Sequence, residues 1–334
     1  MITVLSATAL VVAACGGSGE AASEDRLTIV ATTSIAGDLV SQITGDGADV
    51  SVLIPVGADP HDFQPSSQQV AELQSADLVV AWGLGLEEGL VDVLEAAEAD
   101  GVRVLQLSAL LDPIEFASGQ GDEHSDDEHS DEHTDDEHTD DEHSDDEYAD
   151  EHSEDEHDHA LDPHTWTDPV RMAEAARLIG DALAEIAPGV DTQERAEGLA
   201  TEMMDVHDQI TEILAAIPED RRKLVTNHDS LGYFAERYGF EVVGVAIPGG
   251  STLTSPSSSQ VAELVHAIEE AGVTVLFAES TSSPALLDAV AAEVGDVRVV
   301  ELLEGSLAPK GQPGDTLASM LVHNAELIAD ALGQ

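Results

Sequence analysis

KLVTNHDSLGYFAERYGFEVVGVAI, residues 223–247, decides the fold. A short β-branched run, KLVTNH, gives way to a helical pattern over Ser230 to Tyr238 and then to a second run, FEVVGVAI. Strand, helix and strand in this succession form a βαβ unit, whose two strands lie parallel in one sheet. The rhythm continues with VTVLFAES, a helical Pro284 to Val294, VRVVEL, and a last helix over Thr316 to Leu332. It also runs through the first half of the chain: LTIVAT, then Ile35 to Ile43; ADVSVLIP, then Ser66 to Leu73; DLVVAWG, then Leu86 to Ala97; and VRVLQL. The expected fold is α/β, with two lobes built on mainly parallel sheets.

Two helices separate the sets. The first is expected from Asp168 as N-cap and Pro169 as first helical residue to the stop at Pro188-Gly189, with Met172, Ile179, Leu183 and Ile186 on its apolar face. The second starts at Asp191, with Glu194 placed as in a capping box, and runs to Pro218 with Leu199, Met203, Val206, Ile210 and Ile213 on one face. At 1.5 Å per residue it would be roughly 35 to 40 Å long, enough to join both lobes as a stiff strut. The expected division is a first lobe over 26–190, a linker helix over 191–217 and a second lobe over 218–334.

The chain has 334 residues and carries 69 acidic against 11 basic side chains, a formal charge of −58. Nucleic acid is excluded as a partner, because no basic stripe exists to neutralise phosphates. Residues 119–159 repeat a DEH[ST]D unit with 22 acids, 8 of the 14 histidines and no Lys or Arg. Like charges repel and little apolar surface is available, so this insertion in the first lobe is expected to stay unfolded. Its imidazoles, on His124, His129, His133, His138, His143, His152, His157 and His159, would form weak auxiliary sites for divalent cations. At the other extreme of polarity, residues 2–14 are apolar but too short to span a bilayer, and stop at Cys15, the only cysteine. Residues 1–14 read as a signal peptide and 15–25 as a flexible tether. Val12-Ala13-Ala14-Cys15 resembles a lipobox, which makes Cys15 the expected lipidation site and membrane anchor of an extracytoplasmic protein, although no Lys or Arg precedes the apolar run.

Three histidines outside the insertion occupy loops that enter helices: His61 in GADPHDFQPS, His164 in LDPHTWTDP and His228 in TNHDSLGYF. His61 and His228 follow strands, and in open α/β sheets the crevice at the carboxyl ends of strands is where ligands bind. Neutral imidazole is the commonest side-chain ligand of zinc and related ions. His207, His266 and His323 fall within helices at spacings that do not mark them as ligands.

These motifs, in this order and with TIVATTSIAGDLVSQITGD and GDTLASMLVHNAELIADAL at the two ends, resemble the metal-binding lipoproteins that serve as receptors of zinc and manganese ABC importers, the ZnuA/TroA-like group. The resemblance implies a rigid linker helix, a metal site in the inter-lobe cleft, and two ligands from each lobe: His61 and His164 from the first, His228 and Asp315 from the second. Spacing alone reads Asp315 as the cap of the final helix, so only the resemblance makes it a ligand. Glu279 is the alternative carboxylate, and a water is another way to complete the shell. Manganese receptors of this group usually carry a carboxylate where His228 stands. Three nitrogens and one oxygen favour Zn2+, with Mn2+ or Fe2+ as alternatives.

The expected function is capture of extracytoplasmic zinc and its delivery to a membrane ABC permease by a monomeric receptor that is not an enzyme. The rivals are a zinc hydrolase, for which the chain lacks an HExxH motif, and a surface adhesin on the same scaffold.

Overall fold

The alternation of strand and helix builds two four-stranded parallel sheets in the computed structural model, which describes residues 26–117, 161–188 and 191–333. The signal segment, Cys15 and the His-rich insertion lie outside the described residues. In the first lobe β1 (Leu27–Ala31), β2 (Ala48–Val52), β3 (Leu78–Ala81) and β4 (Val104–Gln106) take the order β2-β1-β3-β4, connected through α1 (Ser34–Thr44), α2 (Ser67–Gln74) and α3 (Val91–Ala99). In the second, β5 (Lys223–His228), β6 (Glu241–Ile247), β7 (Val275–Glu279) and β8 (Arg298–Leu302) repeat that order as β6-β5-β7-β8. Here the crossovers are α6 (Gly232–Tyr238), α7 (Ser258–Ala271) and α8 (Ala285–Val294), and α9 (Leu317–Leu332) closes the chain. The pairings are parallel throughout, and all eight expected strands are present.

α4 (Pro169–Ile186) begins as the sequence indicates, with the Asp168 side chain accepting from Val170 N and Pro169 in the first turn. α5 (Thr192–Leu214) is shorter than expected and lacks the capping box. Asp191 has φ −74° and ψ 44°, outside the extended region in which a capping side chain reaches back to the helix amides, and it makes no such bond. α3 also starts late. The Glu87 carboxylate is buried and accepts from Trp82 N (2.9 Å), Gly83 N (3.1 Å) and Thr32 Oγ1 (2.5 Å). This holds residues 82–87 as a loop, in which Leu84 takes φ 51°.

α5 packs against α4 and α1 on one side and α9 on the other. Its Leu199, Met203, Val206, Ile210 and Leu214 join one apolar core that contains Ile29, Leu39 and Ile179 of the first half as well as Leu224, Phe277 and Ile328 of the second. Two smaller clusters lie on the outer faces: Val30, Leu73, Leu90 and Leu94 in the first lobe, and Val225, Ile268, Leu276 and Val290 in the second. The lobes are therefore fused along their inner faces, with the cleft at the carboxyl ends of the strands.

Candidate metal site

His61 sits in the loop after β2, His228 ends β5, and His164 lies in the turn before α4. A hundred residues and more separate the first from the others, yet their ring centroids are 5.4, 5.7 and 5.1 Å apart. His164 Nε2 lies 3.3 Å from His61 Nε2 and 3.3 Å from His228 Nε2. All three residues are 1 % exposed. One ligand atom from each falls within 4.8 Å of the others, and among the described residues this is the one group of three or more His, Cys, Asp or Glu so arranged.

The outward-facing nitrogens have different surroundings. His164 Nδ1 lies 2.7 Å from Asp162 Oδ1, which also accepts from the His164 backbone amide at 2.8 Å. His228 Nδ1 is 3.1 Å from Glu279 Oε2. For His61 Nδ1 the nearest recorded carboxylate oxygen, Glu88 Oε1, is 4.0 Å away. Carboxylates behind Nδ1 fix the tautomer that leaves Nε2 as a lone-pair donor, the usual support of an imidazole ligand.

Electrostatics divides the three rings. Burial, reinforced by the neighbouring rings, lowers His61 and His164 to about 3, so both are neutral at physiological pH. Burial acts the same way on His228, but Glu279, seconded by Glu304 and Asp59, overrides it and raises the ring to about 9. Glu279 is correspondingly held low by His228 against its own burial. Burial raises Asp162 to about 7, and burial with the Glu279 charge raises Glu304 to about 7.

The carboxylates do not fall where the sequence placed them. Asp315 is outside the cluster: its Oδ2 accepts from Gly311 N at 2.7 Å, within the loop that precedes α9. It is not the helix cap either. Thr316 takes that part, in a reciprocal pair with Ser319, because its extended backbone (φ −129°, ψ 160°) aims the hydroxyl at the third helical amide. Glu279 is at the site but on the far nitrogen of His228, outside the converging group. Glu304 went unnoticed in the sequence. It is 1 % exposed, its Oε2 accepts from the Ser230 hydroxyl, and its Oε1 has no hydrogen-bond partner. An acid two residues beyond a β-branched strand was the available signal, and it looks like any loop residue. His207 pairs with Tyr238, His266 is exposed, and with His323 they stay out of the group.

Contacts between lobes surround the rings. Trp166, whose indole lies 5.2 Å from the His164 ring, donates to Glu304 O at 2.8 Å. The Tyr233 hydroxyl donates to Asp162 O, and the buried Asp168 accepts from Arg171 (2.8 Å) and Arg237 (2.7 Å). The undescribed insertion is rooted here too: Glu115 and Leu161 form an antiparallel bridge three residues before His164.

A buried trio of imidazoles, two of them backed by carboxylates, is suited to hold a cation. The family model of the periplasmic component A of the zinc-uptake complex, ZnuA, matches residues 29–331. The chain belongs to this family. Its members are metal-binding receptors of ABC importers for zinc or manganese, so this chain is a receptor and not an enzyme. The high-affinity zinc uptake system protein ZnuA of Bacillus subtilis is 30% identical over 98% of this chain and 96% of its own length. The manganese-binding lipoprotein MntA of Halalkalibacterium halodurans is 25% identical over 99% and 97%. The solved structure of the periplasmic zinc-binding protein TroA of Treponema pallidum superposes with a TM-score of 0.72, covering 92% of this chain and 100% of that one at 24% identity, a likeness of fold. No described helix of the receptor is long and apolar enough to cross a membrane.

Proposed function

We propose that this receptor takes zinc, with His61, His164 and His228 as ligands, and passes it to an ABC permease outside the cytoplasm. The observation that carries this reading is the convergence of three nitrogens with no carboxylate oxygen among them. Nitrogen-rich, four-coordinate sites suit zinc, whereas manganese favours oxygen donors and higher coordination numbers. For the fourth position Glu304 is a better candidate than Asp315, since it is buried, interacts with His228 and has an oxygen to spare. Cys15 and the imidazoles of residues 124–159 keep their expected parts as lipid anchor and auxiliary cation sites.

The test is metal content. Protein purified without chelator from cells given zinc and manganese together is expected to carry stoichiometric zinc. A variant lacking residues 120–159, with His61, His164 and His228 changed to alanine, is expected to carry none. Stoichiometric zinc in that variant defeats the ligand assignment, and manganese in the wild type defeats the choice of metal.

A further inference from the structure

The three imidazoles are held by different means. His164 and His228 each have a buried carboxylate of their own lobe behind Nδ1, Asp162 and Glu279. The Asp162 backbone takes a hydrogen bond from Tyr233 of the second lobe, while Glu279 accepts from Thr281 Oγ1 and its amide donates to Asn227 Oδ1. His61 Nδ1 and His228 Nδ1 are both buried without a hydrogen-bond partner, but His228 has the Glu279 oxygen at 3.1 Å and His61 only the partly exposed Glu88, 4.0 Å away.

What positions His61 is its backbone, and that support comes from the other lobe. His61 N donates to Asp59 Oδ1 at 2.9 Å. The second oxygen of the same carboxylate accepts from Thr252 Oγ1 at 2.7 Å. Thr252 belongs to the loop between β6 and α7, which lies over the cleft: a Cβ on Gly250 would come within 2.5 Å of the Phe116 ring, and that ring in turn faces His164 at 6.5 Å. Any parting of the lobes at this point breaks the Thr252–Asp59 bond, and with it the cross-lobe support of the His61 backbone.

We infer that Asp59 is a positioning residue and that its bond to Thr252 latches His61 in place across the cleft. This rests on the reading of the three imidazoles as the metal site. The latch makes closure of the lobes and completion of the coordination shell one event, and a permease that lifts the β6–α7 loop loosens the ion without touching a ligand.

The experiment is release of Co2+ from the loaded full-length chain into excess chelator, followed by stopped-flow absorbance. Thr252→Val is expected to release cobalt about five- to tenfold faster, the loss of one well-formed hydrogen bond. Thr252→Ser, which keeps the hydroxyl, is expected to release at the wild-type rate. Asp59→Ala is expected to behave like Thr252→Val. The absorption spectrum of the loaded state stays as in wild type for Thr252→Val, since no ligand changes. An unaltered rate in both Thr252→Val and Asp59→Ala, or equal acceleration by Thr252→Ser, overturns the latch. Retention of the same cobalt spectrum by the triple alanine variant overturns the site itself.

Discussion

The first lobe supplies two imidazoles and the second supplies one, although both are four-stranded parallel sheets in the same strand order. The contrast extends to charge. Both first-lobe rings are kept neutral by burial, whereas the second-lobe ring is held protonated by a buried carboxylate. The topology thus brings two of the three rings, His61 and His228, to carboxyl ends of strands, and the balance between burial and the Glu279 charge sets the protonation of the second-lobe ring apart. With the ring raised to about 9, His228 carries its proton at neutral pH, paired with Glu279. A metal ion taken by this ring would displace a proton, and Glu279 would then face a metal-bound imidazole.

The lobes are alike in another respect, the shared inner core, and the largest expected effect tests whether that core makes them one unit. Ile210, 1 % exposed on α5, is in the cluster that draws from both halves. Ile210→Ala is expected to destabilise the whole molecule by about 2–5 kcal/mol, with a single transition in denaturant. Two separated transitions in wild type or variant would divide the lobes. Next is the carboxylate that distinguishes the second lobe. Glu279→Gln is expected to weaken zinc binding by about ten- to a hundredfold. It should also abolish most proton release on binding at pH 7.5, measured by calorimetry in buffers of different ionisation enthalpy. Undiminished proton release removes Glu279 as the origin of the charge on His228.

The pH dependence sharpens the same contrast. His228 is raised in the folded protein, so its stabilising contribution is complete below its ordinary pKa of 6.5 and is lost as pH rises through about 9. His61 and His164 are lowered, and they destabilise the fold as pH falls from the ordinary imidazole range toward about 3. Zinc reverses the first trend, because the proton it displaces becomes easier to remove. The gap in melting temperature between zinc-loaded and metal-free protein is expected to widen from pH 6.5 to pH 9, and a gap that narrows contradicts the assignment. The smallest effect concerns the far side of the site. Arg237→Met removes one of two guanidinium partners of the buried Asp168 and leaves Arg171 in place. A loss of about 1–2 kcal/mol is expected in denaturant titrations.

The fold could be read almost entirely from the sequence, since every strand is a short β-branched run and every crossover a helical pattern. The exceptions are local: Glu87 captures three donors and delays α3, and the backbone of Asp191 turns its side chain away from the cap. Of the site, the three histidines stood out because each sits in a loop entering a helix, two of them after strands. The carboxylates did not. Glu279 ends a strand, Glu304 follows one and Asp315 precedes a helix, and what separates a local hydrogen bond, a partner for Nδ1 and an oxygen left over is a matter of a few ångströms in three dimensions. Spacing along the chain carries no record of that.

The bridge between Glu115 and Leu161 has a consequence for how such receptors diversify. Because departure and return are neighbours, the stretch between them can be lengthened, trimmed or excised and the gap closed by a short turn. The entropy of closing a loop grows only slowly with its length, so such edits are thermodynamically mild. Changes in the length of the acidic repeat therefore leave the bridge, and His164 three residues beyond it, in place.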